Sequence, residues 1–293
     1  MPDAEPPALD LVLPILLCPV CGAGLARADS TLRCPDGHSF DIARQGYASL
    51  LSDARPRSGD DASMARARLR FLEAGHFAPL RAALVDLAAR PAPPPATVLE
   101  VGCGTAYHLA GVLDALPDAR GLGLDSSVRA LRAAARAHPR AAAATWDVFR
   151  PFPLAAASVD LVLDVFAPRN PAEFHRVLQP DGRLIVARPD DGHLAQLRRQ
   201  VERMVDIDPD KEERLSRALD PCFEVVGTER IEYTVSLSQD EVVDLILMTP
   251  SAHHLSEADL AKATSEPLPT EVTVSVLASA YRPRPAPRLA PRP

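Results

Sequence analysis

From Ala96 onward the chain alternates short apolar runs with helix-forming stretches, and this rhythm limits the fold more than any other feature. TVLEVG reads as a strand, AYHLAGVLDAL as a helix, and RGLGLDSS as a strand with its turn. SVRALRAAARAH follows as a helix capped by Ser126 or Ser127. AAAATWDV, SVDLVLDVF and GRLIVARP supply further strands, with the helix PAEFHRVL before the last. A βαβα order builds a mostly parallel sheet with helices on both faces, so the expected fold class is α/β. Beyond it, HLAQLRRQVERM reads as a helix, and FEVVGTERIEYTVSL and TEVTVSVLASAYR as strands flanking the helix SQDEVVDLILM.

The first of these strands runs into VLEVGCGTAYH, Val98 to His108. Gly102 and Gly104 let the backbone turn sharply and let a ligand approach the main chain. The dinucleotide pattern G-x-G-x-x-G fails at Tyr107. Cys103, between the glycines, reads as a small filler in preference to a nucleophile.

A second feature lies near the N-terminus. Cys18, Cys21, Cys34 and His38 follow a C-x2-C-x12-C-x3-H spacing. CPVCG and CPDGH place turn-forming Pro and Gly beside the ligands, as a metal knuckle requires, and zinc prefers four tetrahedral N/S donors in closed structural sites. His38 is either the fourth donor or a turn histidine, with water or another residue completing the set. The five cysteines are an odd count and make no plausible secreted disulfide framework at this length.

No apolar run approaches the roughly 18–20 residues that span a bilayer. LDLVLPILL resembles a signal-peptide core but follows Asp3 and Glu5, with no Lys or Arg and no cleavage site. A cytoplasmic protein with no membrane partner is therefore expected. The net charge of −7 does not favour nucleic acid, although a local basic patch matters more than the sum. Such a patch is offered by Arg55, Arg57, Arg66, Arg68 and Arg70.

The expected organisation is a zinc-binding domain over residues 1–52, a helical linker over 53–95, a large α/β domain over 96–280, and a disordered Pro/Arg-rich tail over 281–293. Within the linker, ASMARARLRFLEAG ends at Gly75, a C-cap, FAPLRAALVDLAAR follows as a second helix, and PAPPP breaks the chain.

An apolar strand followed by Glu–x–Gly–x–Gly resembles class I S-adenosylmethionine-dependent methyltransferases, with Ala106 standing where that family often has a third glycine. The resemblance implies a Rossmann-like, mostly parallel seven-stranded sheet. It places Glu100 near the cofactor's methionine amino group and Gly102 and Gly104 beneath the cofactor. Asp125, at the carboxyl end of the next strand, is placed to accept hydrogen bonds from the ribose hydroxyls. Asp147 is either an adenine contact or an ordinary loop aspartate. The segments CPVCGAGL, CPDGHSFDIARQGYASLL, RFLEAGHFAPLR, VLEVGCGTAYH, LGLDSS, VFAP and HLAQL, in that order, resemble the bacterial 23S ribosomal RNA guanine-N1 methyltransferase family across about residues 16–280. Some members of that family confer resistance to tylosin-type macrolides.

That family implies one structural zinc on Cys18, Cys21, Cys34 and His38, and a cofactor pocket that includes Gly104, Thr105 and Asp125. Phe77 stands where a relative has Tyr, so packing is expected there without a hydroxyl contact. His193 in DDGHLAQL is implied to lie near the cofactor, its plainer reading being a residue at a helix N-terminus. The family also implies a homodimer with an RNA-sized cleft. The implied reaction is methyl transfer to guanine N1 in the hairpin 35 loop of 23S rRNA, position 748 in preference to 745.

Guanine N1 is protonated at neutral pH, so the reaction needs in-line positioning and the loss of that proton. Asp164, ending DLVLDVFAP, is expected either as general base or as a loop cap. The target base must also leave its stack. The arginines at 55–70 are expected to follow RNA phosphates or to form a solvated helix face. Two rivals remain: a methyltransferase of a small molecule with a purely structural ribbon, and a non-catalytic RNA-binding protein, against which the intact Glu100–Asp125 set argues.

Overall fold

The computed structural model describes residues 7–51, 61–90, 93–201, 217–255 and 264–285, with Met204, Arg214, Asp259, Ala261 and Lys262 between them. The expected Pro-rich start, most of the Pro/Arg-rich tail, and Arg55 and Arg57 lie outside the described residues.

LDLVLPILL forms helix α1 (Ala8–Val12) and a single 3-10 turn, Leu13–Ile15. Leu9, Val12, Ile15 and Leu16 are buried, so this apolar run is core. Three short antiparallel strands follow: β1 (Ala26–Ala28), β2 (Thr31–Arg33) and β3 (Ser39–Asp41). β2 lies in TLRC and β3 in HSFDI, while β1 has mostly exposed side chains.

The segment expected as a linker contains α2 (Ala62–Glu73) and α3 (Ala78–Ala89). Asp61 caps α2 by accepting from the backbone N–H groups of Ser63 and Met64, at 2.7 and 3.0 Å. Gly75 ends it with φ near 84°, a conformation glycine adopts without a Cβ penalty. Both helices are integral to the main core, because Phe71, Leu80 and Leu84 are fully buried. Apolar residues at i, i+4 and i+7 demand a partner surface, here the sheet and its other helices.

The remaining elements are β4 (Thr97–Val101), α4 (Tyr107–Ala115), β5 (Arg120–Asp125), α5 (Val128–Ala134), β6 (Ala141–Thr145), β7 (Val159–Val165), α6 (Pro171–Val177), β8 (Leu178–Pro189), α7 (Ala195–Gln200), β9 (Phe223–Ser236), α8 (Gln239–Leu247) and β10 (Glu271–Pro283). The seven strands β4–β10 form one sheet in the order β6-β5-β4-β7-β8-β10-β9. Pairing is parallel from β6 to β8, and β10 is antiparallel to both β8 and β9. Strand order reverses at β4, whose neighbours are β5 and β7, so a crevice opens beyond its carboxyl end.

Side chains along each strand alternate between two cores. Val98, Leu161 and Leu163 face the core under α2, α3, α4 and α8. Leu99, Val101, Val162 and Leu184 face the core that holds α1, α6 and the small ribbon. The ribbon is therefore docked on the sheet. Leu17 N–H donates to Pro153 O at 2.9 Å, and Ala155 N–H to Ile15 O at 3.0 Å. Ala48 bridges Ala144 on the outer side of β6, donating to Ala143 O and accepting from Thr145 N–H, each at 2.9 Å.

A strap joins α2 to α8. Arg70 makes a bidentate pair with Asp244, at 2.8 and 2.5 Å, and His76 Nε2 lies 2.8 Å from Glu241. Ser238 and Glu241 form a capping box at the start of α8. Among the described residues no helix is long and apolar enough to cross a membrane.

Candidate active site and metal centre

Two tight turns build the metal centre. Gly22 N–H donates to Cys18 O at 2.8 Å and Gly37 N–H to Cys34 O at 3.0 Å, with positive φ at both glycines. These turns converge the donor atoms of Cys18, Cys21, Cys34 and His38 to within 4.8 Å of one another. Cys21 Sγ lies 3.7 Å from Cys34 Sγ, and Cys34 Sγ lies 3.3 Å from His38 Nδ1. A tetrahedron with Zn–S of ~2.3 Å and Zn–N of ~2.05 Å has edges of about 3.8 and 3.6 Å, so the spacing fits zinc and is far too long for a disulfide. His38 stands as the fourth donor, which makes this a closed, structural set.

The crevice at the carboxyl ends of β4, β5 and β7 is a cleft of about 510 Å³. It is lined by every cofactor residue expected from the sequence: Phe77, Glu100, Gly102, Gly104, Thr105, Asp125, Asp147 and His193. Gly102 has φ near 64°, and a Cβ on it would stand 2.6 Å from Ala167 Cβ. Gly104 has φ near 53°, and Ala106 holds φ near 59° in the position where a third glycine was expected. That left-handed alanine stores roughly 1–2 kcal/mol. Cys103 is buried against Gly123, and burial raises its thiol well above the ordinary range, which makes it an inert filler.

The acidic side chains hold this loop. Asp125 accepts from Gly104 N–H at 2.8 Å with one oxygen and from Ser127 N–H at 2.7 Å with the other. Glu100 is buried and accepts from Leu109 N–H at 3.2 Å, capping α4, whose own N-cap Ala106 has no side-chain acceptor. Burial pushes its pKa up to about 8, with the charge of Asp125 adding to the effect and the Leu109 bond opposing it. Asp147 accepts from Phe149 N–H at 3.0 Å, so it is a loop aspartate that also lines the cleft. His193 precedes Leu194, the N-cap of α7, and its Nδ1 accepts from Ser275 N–H at 3.3 Å. His193 thus lies both at the start of α7 and in the cleft lining.

Other expected residues stand elsewhere. Asp164 is fully buried and is not part of the cleft lining; it pairs with Arg169 at 3.7 Å. Among the arginines of α2, Arg66 and Arg70 are exposed, Arg70 pairing with Asp244, whereas Arg68 lines the cleft and donates to Met248 O at 2.8 Å.

The opposite wall contains Val165–Ala167, the stretch expected from the sequence to form part of a target-base pocket, with Pro168 stiffening its loop. Phe166 has a positive φ of 57° and lies between Phe77 and His193, with ring centroids 6.4 and 5.8 Å away. Met248 and Leu245 complete this wall from α8 and its C-cap. Trp146 Nε1 and His108 Nδ1 are buried cleft groups with no hydrogen-bond partner among the described residues.

Two family models match the chain, one described as "RlmA, N-terminal" over residues 16–58 and one described as "Methyltransferase domain" over residues 98–182. The 23S rRNA (guanine(748)-N(1))-methyltransferase of Streptomyces fradiae is 43% identical over 277 residues, covering 94% of this chain and 99% of that protein. A Micromonospora griseorubida protein, provisionally named a 23S rRNA (guanine-N1)-methyltransferase, is 46% identical over 293 residues, with 93% and 98% covered. A Bacillus subtilis protein with the same provisional name is 31% identical, with 88% and 94% covered. The glycine cradle, the Asp125 acceptor and the unsatisfied Trp146 Nε1 fit S-adenosylmethionine, and the Cys/His set fits one structural zinc. The cleft is therefore that of an S-adenosylmethionine-dependent methyltransferase, and the chain belongs to the 23S rRNA (guanine-N1)-methyltransferase family.

Proposed function

We propose that this protein transfers the methyl group of S-adenosylmethionine to N1 of guanine 748 in the hairpin 35 loop of 23S rRNA, and that this modification protects its host against tylosin-type macrolides. The observation that carries the reading is the 43% identity to the Streptomyces fradiae enzyme named for guanine 748, which runs through ribbon and catalytic domain alike.

In this reading Asp125 takes the ribose hydroxyls, Asp147 lies at the adenine end, and Glu100 faces the methionine amino group across the glycine loop. The wall of Phe77, Phe166 and His193 offers flat faces to an extruded guanine, and excluding water there strengthens each polar contact with the base. Asp164 is a positioning residue: it holds Arg169, which lines the cleft. When bound, the cofactor would supply an electrophilic methyl to guanine N1, the N1–CH3 bond forming as the S–CH3 bond breaks to leave the neutral thioether, with the N1 proton passing to solvent.

An RNA acceptor is also supported at the rim. Phe149 is 67% exposed in a chain with only 4% aromatics, one residue beyond the cleft residues Asp147 and Val148, and Arg150 is exposed beside it. The loop is fixed by Asn170 Nδ2, which donates to Val148 O at 2.9 Å. An exposed, held aromatic next to a cation suits an unpaired base and its phosphate. The small-molecule reading gives this rim no use. The reading further places the protein in the cytoplasm as a homodimer, with the ribbon as RNA-recognition module and Arg66 on the phosphate path.

Primer extension tests it. Zinc-loaded protein, S-adenosylmethionine and unmodified 23S rRNA should give a reverse-transcriptase stop one nucleotide 3′ of position 748, because N1 methylation blocks the pairing edge. A stop at 745 would reassign the target. No new stop from protein that binds S-adenosylhomocysteine would refute the rRNA reading.

A further inference from the structure

When guanine gives its N1 proton to solvent, the electron pair left behind is shared between N1 and O6. Negative charge gathers on O6 until the N1–CH3 bond forms and cancels it. A cation placed at O6 lowers the cost of that step. With N1 turned to the methyl, O6 and N7 form an edge that a guanidinium can grip with two hydrogen bonds.

Among the described residues three arginines line the cleft: Arg68, Arg169 and Arg198. Arg68 donates to Met248 O at 2.8 Å, and Arg198 to Asp191 O at 2.5 Å. Arg169 is held differently. Its Nε lies 3.7 Å from buried Asp164, an ion-pair distance longer than a hydrogen bond, and Nε makes no hydrogen bond among the described residues. With the Nε edge turned to Asp164, the two Nη groups are the part that can reach a ligand. The side chain is 18% exposed and lines the cleft.

The Arg169 backbone is fixed from both sides. Pro168 precedes it, and Asn170 follows as the N-cap of α6, its Nδ2 donating to Val148 O at 2.9 Å. Phe166, three residues earlier, stands in the flat wall with Phe77 and His193. The arginine and the wall offered to the base thus share one held loop. The acidic lining groups Glu100, Asp125 and Asp147 cannot donate to O6 when ionised. His108 stays neutral, its pKa lowered to about 3 by burial and then by the charges of Arg81 and Arg68.

We infer that Arg169 grips the O6/N7 edge of the target guanine and carries the negative charge that gathers on O6 as N1 gives up its proton. This deepens the rRNA reading and rests on it. Arg169 also selects the base, because adenine places an amino donor where guanine places O6, and a guanidinium cannot accept from it. Asp164 acts through Arg169 as its anchor.

The test is single-turnover methylation of 23S rRNA by the full-length, zinc-loaded protein, read by primer extension from about pH 6.5 to about pH 9. Near neutral pH Arg169→Gln should slow the reaction about 10- to 1,000-fold, the span of the one to three pKa units that a neighbouring opposite charge commands. Its deficit should shrink as pH rises, because N1 then ionises without help. Glu100, raised to about 8 by burial, titrates in the same window, but it and His193 are common to both proteins, so the ratio of rates is read. Arg169→Lys, which keeps the charge without the fork, should lose less, and both variants should bind S-adenosylhomocysteine within about twofold of wild type. A deficit constant across pH would show a merely structural arginine, a parallel loss of S-adenosylhomocysteine affinity would move Arg169 to the cofactor, and an unchanged rate would leave it no role; each overturns the inference. Wild type that binds S-adenosylhomocysteine yet gives no stop refutes the rRNA reading and this inference with it. If Arg169→Gln, which removes a partner of buried Asp164, does not fold, the profile is read on Arg169→Lys: a loss that shrinks with pH supports the inference, and a constant or absent loss overturns it.

Discussion

Replacing Gly102 by Ala imposes two separate costs that the structure lets one measure apart. Gly102 holds a positive φ, which costs an L-residue roughly 1–2 kcal/mol. Its new Cβ would also stand 2.6 Å from Ala167 Cβ, whereas the next nearest atom, Ala167 Cα, lies at an ordinary 3.7 Å. Overpacking of that kind costs roughly 1–3 kcal/mol. Gly102→Ala should therefore destabilise by about 2–5 kcal/mol. Ala167→Gly removes the second cost and leaves the first. In a double-mutant cycle followed by urea unfolding, Ala167→Gly should be less harmful in the Gly102→Ala background than in wild type, by about 1–3 kcal/mol. The double variant should also recover part of the S-adenosylhomocysteine affinity lost by Gly102→Ala, because the Phe166–Ala167 wall returns to its place. Strict additivity, within about 0.5 kcal/mol, would mean that the glycine is required for its dihedral alone and that the close approach of loop and wall plays no part.

Cys34→Ser should lose zinc, with affinity weakened beyond the ~10–100-fold that outer-shell partners command; a variant that keeps full zinc by elemental analysis would contradict the ligand set. Burial holds Glu100 near pKa 8 against an ordinary value of 4.5, so the folded protein keeps a proton that the unfolded chain releases between those values. Stability from this residue therefore falls as pH rises across that window, and Glu100→Gln should gain in urea midpoint over cofactor-free wild type from about pH 5 to pH 8. A constant difference would refute the buried, proton-retaining assignment.

Much of the fold was legible because strands buried on both faces read as near-continuous apolar runs, as in TVLEV, AAAAT and VDLVLDV. The glycine loop and Asp125 were legible because turning chemistry and strand ends are local properties. The cysteine set was legible from its spacing. What was not legible depended on partners far away in the chain. The pairing of Arg70 with Asp244, 174 residues on, could not be read from the local sequence. At the end of β7 the two-residue period places Val165, and not the buried Asp164, in the cleft lining, and the pairing of Asp164 with Arg169 was not legible. LDLVLPILL could be judged apolar from its residues, but only the sheet face of β5 and β6 made it core.

The docking of the ribbon on the sheet edge carries a consequence for the order of assembly. The four ligands lie within a few turns of chain, so the ribbon can close around its metal as soon as it leaves the ribosome. Its landing sites at Ala144 and Pro153 are made about a hundred residues later. A preloaded ribbon then acts as a template that waits for β6 and seals that edge on arrival. A metal-starved cell would instead release chains whose β6 edge stays open, a bare strand that invites pairing with its neighbours.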